Sequence, residues 1–196
     1  MTNLLPMLVV GAATCLVVAL ALWARSGEGA RATVRRAVLT LDRASTGIAT
    51  ALAILALVVA FGAGFWQVVA RFATSTPAVW SEALVRTALI WMALLGVAVA
   101  LRTGALVSID VAHRLSSGKL QRTLEVATLA GSLSLMGIMF WFGWMMATRV
   151  KFQEMAGLEV SMSWGYAAIP LGALFAMVGA LAHFLDRRNA ELESAV

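Results

Sequence analysis

Glu82 and Arg86 are the one acidic and basic pair inside an apolar run of this sequence. Four residues apart on a helix, they share a face, and the chemistry they offer is an ion pair with each other or a contact with charged groups of a partner. At 1.5 Å per residue Arg86 would lie about 9 Å below Trp80, shallow enough for its side chain to reach the headgroup layer. Two histidines raise the question of haem, which facing histidines in a helical bundle can hold. His113 falls in a segment between runs and His183 near the end of the last run, with no second histidine at matching depth. Thr14, Ser132 and Ser134 are polar residues within runs, where hydroxyls ordinarily bond their own helix or a neighbour. The single cysteine, Cys15, allows no internal disulfide and suggests no thiolate metal site. No glycine-rich phosphate loop, zinc-binding histidine pair or nucleophile elbow occurs, so neither catalysis nor a cofactor or metal is expected.

The elements that must position these residues follow from composition. The 196 residues are 61% hydrophobic and 13% charged, half the charge of an ordinary soluble domain, and a bilayer is the only solvent that suits such a surface. A hydrocarbon core about 30 Å thick needs about 20 apolar residues per spanning helix. Five runs qualify, approximately Leu4 to Ala24, Thr46 to Val69, Trp80 to Leu101, Leu124 to Ala147 and Ser161 to Leu185. Backbone groups in lipid must be paired within the segment, and the alternation of barrel strands is absent. The expected fold is therefore an all-α integral membrane protein, a helical bundle. Its division is an N-terminal helix over 1–24, a basic segment over 25–45, four further helices over 46–188 and a tail over 189–196. In the basic segment Val34, Val38 and Leu41 recur at helical spacing among arginines. That pattern fits an interfacial amphipathic helix or an extension of the second span.

Basic residues separate two classes of connecting segment. Arg25, Arg31, Arg35, Arg36 and Arg43 precede the second run, Arg102, Arg114, Lys119 and Arg122 follow the third, and Arg187 and Arg188 follow the last. The intervening segments carry Arg71 alone, then Arg149 and Lys151 offset by Glu154 and Glu159. The positive-inside rule puts the first class in the cytoplasm, hence the N-terminus outside and the C-terminus inside a bacterial inner membrane. Trp66, Trp80, Trp144 and Trp164 all fall at the expected outer ends, as interfacial tryptophans should. Met1 to Asn3 carry no basic side chain and the arginines follow the first run, so that run is expected to be retained. The net charge of +5 is accounted for by anionic lipid headgroups, without nucleic acid.

From about Arg35 to Arg188 the sequence resembles the small membrane subunit of tripartite ATP-independent periplasmic (TRAP) transporters, the DctQ-like family. The densest stretch is QVVARFATSTPAVWSEALVRTALIWMALLGVAVALRTGALVSID, Gln67 to Asp110, where Arg71, Phe72, Trp80, Glu82, Arg86, Trp91, Gly96, Arg102 and Asp110 fill the family's places. In SWGYAAIPLG, Trp164, Tyr166, Pro170 and Gly172 match its final helix. Ala83 and Leu106 stand where the family often has a second acidic residue and a histidine, and the helix over 1–24 is additional to the usual four. The resemblance implies an accessory subunit that scaffolds a large membrane subunit, which takes up an organic acid with sodium after a periplasmic solute-binding protein delivers it. Arg71, Trp80, Glu82, Arg86 and Trp164 become the candidate interface with those partners. The rivals are a haem-binding redox subunit and a self-contained homo-oligomeric transporter or channel using hydroxyls and carbonyls as ligands.

Overall fold

A computed structural model describes residues 4–25, 30–74, 78–103 and 119–193. Its long elements are all helices: α1 (Leu4–Arg25), α2 (Ala30–Val69), α3 (Val79–Thr103), α4 (Lys119–Arg149) and α6 (Ala168–Glu193), with the single turn α5 (Ser163–Tyr166) before the last. α2 ends in a π-helical turn over Ala70–Thr74. Among the described residues five spans are long and apolar enough to cross a membrane, which makes this the expected all-α integral membrane fold. Asp110 and His113 lie outside the described residues.

α2 runs unbroken through 40 residues, about 60 Å and twice the hydrocarbon thickness. Its first turns are thus the extension of the second span, one of the two forms the basic segment allowed. The residues α2 buries recur with coiled-coil spacing. Asp42, Ala49, Ala60, Ala63 and Ala70 are buried, and Thr46, Ala53, Ala56 and Gln67 half-buried, so the chain steps by four and three residues along one stripe. α3 answers with buried Ser81, Ala88, Leu95 and Ala98, and with half-buried Arg102. Two antiparallel helices with seven-residue repeats of small side chains can approach closely and pack along their whole length. Alanine supplies the close approach, and dispersion across the seam supplies the attraction, because lipid removes the hydrophobic drive between helices.

α6 is the most enclosed helix: 56% of its span is buried, against 17% for α3. It runs parallel to α3 and antiparallel to α4. A side chain at Gly172 would place its Cβ 2.8 Å from Leu94 Cβ, and one at Gly179 would meet the Ala98 carbonyl at 3.1 Å, so both glycines admit α3. Gly143 of α4 is tighter, with Ile169 Cγ2 only 2.6 Å from where its Cβ would be. Gly62 and Gly64 of α2 do not admit a neighbouring helix in this way. Gly62 has nothing within 4 Å and Gly64 only Val85 Cγ2 at 3.8 Å, because the α2 stripe facing α3 is built of alanines one position away. α1 lies against α4, where Val10 fills the space left by Gly137. Farther along, Ala21 packs with Leu129, Leu133, Ala180, Phe184 and Leu185.

Alternating helix directions bring Trp66, Trp80, Trp144 and Trp164 to one end of the bundle, the tryptophan end, as expected. All four are exposed there, from 42% at Trp80 to 66% at Trp164. The opposite end gathers Asp42, Arg102, His183 and Asp186, and is called the carboxylate end below.

Candidate functional site

Three helices meet at the carboxylate end. Asp42 of α2 is 1% exposed and forms an ion pair with Arg102 Nε of α3. Arg102 Nη2 reaches Asp186 Oδ2 of α6 at 2.9 Å. Thr46 Oγ1, one turn along α2, donates to Asp42 Oδ1 at 3.1 Å, and His183 Nδ1 lies 3.1 Å from the Arg102 carbonyl. One guanidinium thus holds two carboxylates, using the fixed fork geometry that distinguishes arginine from lysine. A buried carboxylate without this partner would be costly, and with it α2, α3 and α6 are fixed in register. Arg102 was expected as a family-motif position; its partners were not. Asp42 lies just before the apolar run that begins at Thr46, and Arg102 and Asp186 just after those that end at Leu101 and Leu185. Arg102 and Asp186 are the first ionisable residues beyond their runs and Asp42 the first acidic one beyond its own, and this shared position at one end is the signal the sequence offers.

At the tryptophan end the segment between α4 and α5 folds back on itself. Met155 N donates to Val160 O and Met162 N to Gln153 O, both at 2.8 Å, closing a short hairpin. Its tip, Gly157, has φ +83°, and a Cβ there would sit 3.0 Å from the Val79 carbonyl carbon and Trp80 N. Only glycine meets both demands, the left-handed backbone and the contact with the start of α3. Gly157→Ala is therefore expected to cost about 1–3 kcal/mol, measured as a lowered thermal midpoint in detergent. Ser161 Oγ donates to the Lys151 carbonyl at 2.7 Å and Ser163 Oγ to the Ala147 carbonyl at 2.8 Å, which fixes the hairpin to the end of α4.

The folded hairpin encloses a cleft of about 420 Å³ between itself, α3 and the α5–α6 corner. Glu82 and Arg86 line it with Val79, Thr87, Ile90, Met155, Met162, Tyr166 and Ile169 among others. Glu82 Oε1 accepts from Arg86 Nη2 at 2.8 Å, with side chains 61% and 73% exposed. Such an exposed pair contributes at most about 1 kcal/mol and is available to other ligands.

The remaining expected residues spread over both the interior and the surface. Arg71 and Phe72 stand exposed on the π-helical turn. Trp91 Nε1 donates to the Trp164 carbonyl at 3.1 Å, which ties α3 to α5. Pro170 occupies the first turn of α6, where a missing N–H costs little, and its Cδ faces Gly143. Gly96 is exposed and has nothing within 4 Å. The five candidate interface residues thus share one end of the bundle, with Glu82 and Arg86 in contact there. The middle of each span holds no ionisable side chain, and among the described residues no three His, Cys, Asp or Glu side chains converge as a metal site.

Two comparisons bear on this arrangement. A family model described as tripartite ATP-independent periplasmic transporters, DctQ component, matches residues 60–189. A relative from Vibrio cholerae, the sialic acid TRAP transporter small permease protein SiaQ, is 31% identical over 114 residues, 56% of this chain and 64% of that protein's own length. The family match takes in the end of α2 and all of α3, α4, α5 and most of α6, hence the cleft and the Arg102–Asp186 part of the network, while Asp42 lies before it.

Proposed function

The chain belongs to the DctQ component family of the tripartite ATP-independent periplasmic transporters, and on that premise we propose that it is the scaffold against which a large membrane subunit moves its cargo. The observation that carries this reading is the lack of any ionisable side chain in the middle of the spans, combined with the ionic clasp at one end. A charged solute or ion crossing the bilayer needs ligands at depth, and this bundle puts its charges at its ends. A bundle whose helices are joined by one buried ion pair, a second more exposed one and close glycine contacts suits a part that stays still. The solute in this reading is an organic acid taken up with sodium, and both are held by the large subunit. The SiaQ name of the Vibrio relative agrees with a carboxylate cargo.

The charge asymmetry supports an inner-membrane orientation with the carboxylate end and the C-terminus cytoplasmic. Trp80, Trp164 and Arg71 then stand on the periplasmic face, where a solute-binding protein docks. Co-expression of the tagged chain with the large subunit tests the assignment. A stoichiometric complex in mild detergent is expected. A chain that purifies only as its own oligomer and transports solute alone in liposomes would replace the scaffold with a self-contained carrier.

A further inference from the structure

We propose that the cleft under the α4–α5 hairpin is a phospholipid site selective for a zwitterionic headgroup with a primary ammonium, of the phosphatidylethanolamine type. The proposal rests on the membrane-spanning fold and does not depend on the transport partners. About 420 Å³ lies within the range of small-molecule pockets. Its walls are chiefly apolar, from Val79 and Ile90 of α3, Met155 and Met162 of the hairpin and Ile169 of α6, and its mouth carries the Glu82 and Arg86 pair. The sequence of polarity with depth is that of a lipid. Trp80 marks the interface, Arg86 follows about 9 Å below it along α3, and Ile90 lies one turn deeper.

Charge complementarity selects the headgroup. Arg86 carries five N–H donors, and its bond to Glu82 Oε1 leaves others available for phosphate oxygens. Glu82 keeps acceptor capacity beside them for an ammonium. A cation and an anion side by side match a phosphate and an ammonium on one headgroup. An anionic lipid would offer its phosphate to Arg86 but no ammonium to Glu82, leaving a second anion beside that carboxylate, and a choline headgroup has no N–H to give. The acyl chain then runs along Ile90 and Ile169, so that the hairpin and the α3 wall close over it.

The test uses the full-length chain, delipidated in detergent and offered phosphatidylethanolamine, phosphatidylcholine or phosphatidylglycerol with the same acyl chains. Bound lipid is counted by native mass spectrometry, and thermal midpoints confirm that each variant is folded. Retention of phosphatidylethanolamine at least threefold above the other two is expected. Glu82→Gln should reduce it to the phosphatidylcholine level, Arg86→Gln should lower it at least tenfold, and Ile90→Trp, which fills the floor, should block all three lipids. Equal retention of the three lipids by the unaltered chain overturns the proposal. Unchanged phosphatidylethanolamine retention in both Glu82→Gln and Ile90→Trp also overturns it, and if assembly with the large subunit falls at the same time the cleft is a partner's seat.

Discussion

Arg102→Met is expected to lower the stability of the isolated bundle by about 3–5 kcal/mol, the usual cost of leaving a buried charge without its partner. Asp42 is the reason. Its side chain is 2% exposed, and with Arg102 gone it keeps one hydroxyl donor, Thr46, against the full cost of burying a carboxylate. Asp186 is 45% exposed at its side chain and can turn to water, so Asp186→Asn should cost less than about 1 kcal/mol. The double change Asp42→Leu with Arg102→Met removes the orphan as well as its partner, and should recover most of the lost stability. Unfolding in mixed micelles of detergent and SDS measures all four proteins. If the single change at Arg102 and the double change were equally destabilised, burial of Asp42 would not be what makes Arg102 necessary.

The second large effect lies where α4 crosses α6. Gly143→Ala would put a methyl 2.6 Å from Ile169 Cγ2, 2.9 Å from Ile169 Cβ and 3.1 Å from Pro170 Cδ. Ile169 Cβ is fixed to the backbone and the proline ring is rigid, so the helices themselves must separate. Overpacking of this kind costs about 1–3 kcal/mol. Gly62→Ala is the matched control: nothing lies within 4 Å of Gly62, so the same substitution should be harmless or gain up to about 1 kcal/mol of helix propensity. A thermal-shift comparison in one detergent separates them. Equal midpoints would mean that the α4–α6 crossing is looser than the contact distances indicate.

Much of this architecture could be derived from residue types because the bilayer constrains the chain so heavily. Five apolar runs had to become helices, and the tryptophans at their ends had to share a surface. What periodicity did not reveal was which stripe of α2 faces α3. Leu, Ile, Val and Phe dominate the helix numerically, yet in lipid they face outward. The inward stripe of Asp42, Thr46, Ala49, Ala53, Ala56, Ala60 and Ala63 carries no hydrophobic contrast with its surroundings. Its seven-residue spacing of small side chains was present all the same, and small residues in lipid point inward for the reason that Leu does in water. Gly62 and Gly64 bring no helices together for a related cause: in an alanine seam glycine is not needed for close approach, whereas Gly143 and Gly172 meet bulky or backbone atoms and are needed.

The site was legible in its outer half. Glu82 and Arg86 pair as their spacing required. The cleft they border was not foreseeable, because it depends on the hairpin folding back over α3 through Gly157, a contact between residues nearly eighty positions apart. The Asp42, Arg102 and Asp186 network escaped because a charge just past an apolar run looks like an ordinary loop charge until helix directions and neighbours are known.

The scaffold assignment is tested most directly by transport in proteoliposomes that contain the large subunit, its binding protein and a sodium gradient, with and without this chain. Loss of nearly all uptake without the chain, restored on adding it back, is the predicted result, with Arg102→Met restoring markedly less. Full uptake by the large subunit and binding protein alone would contradict the account.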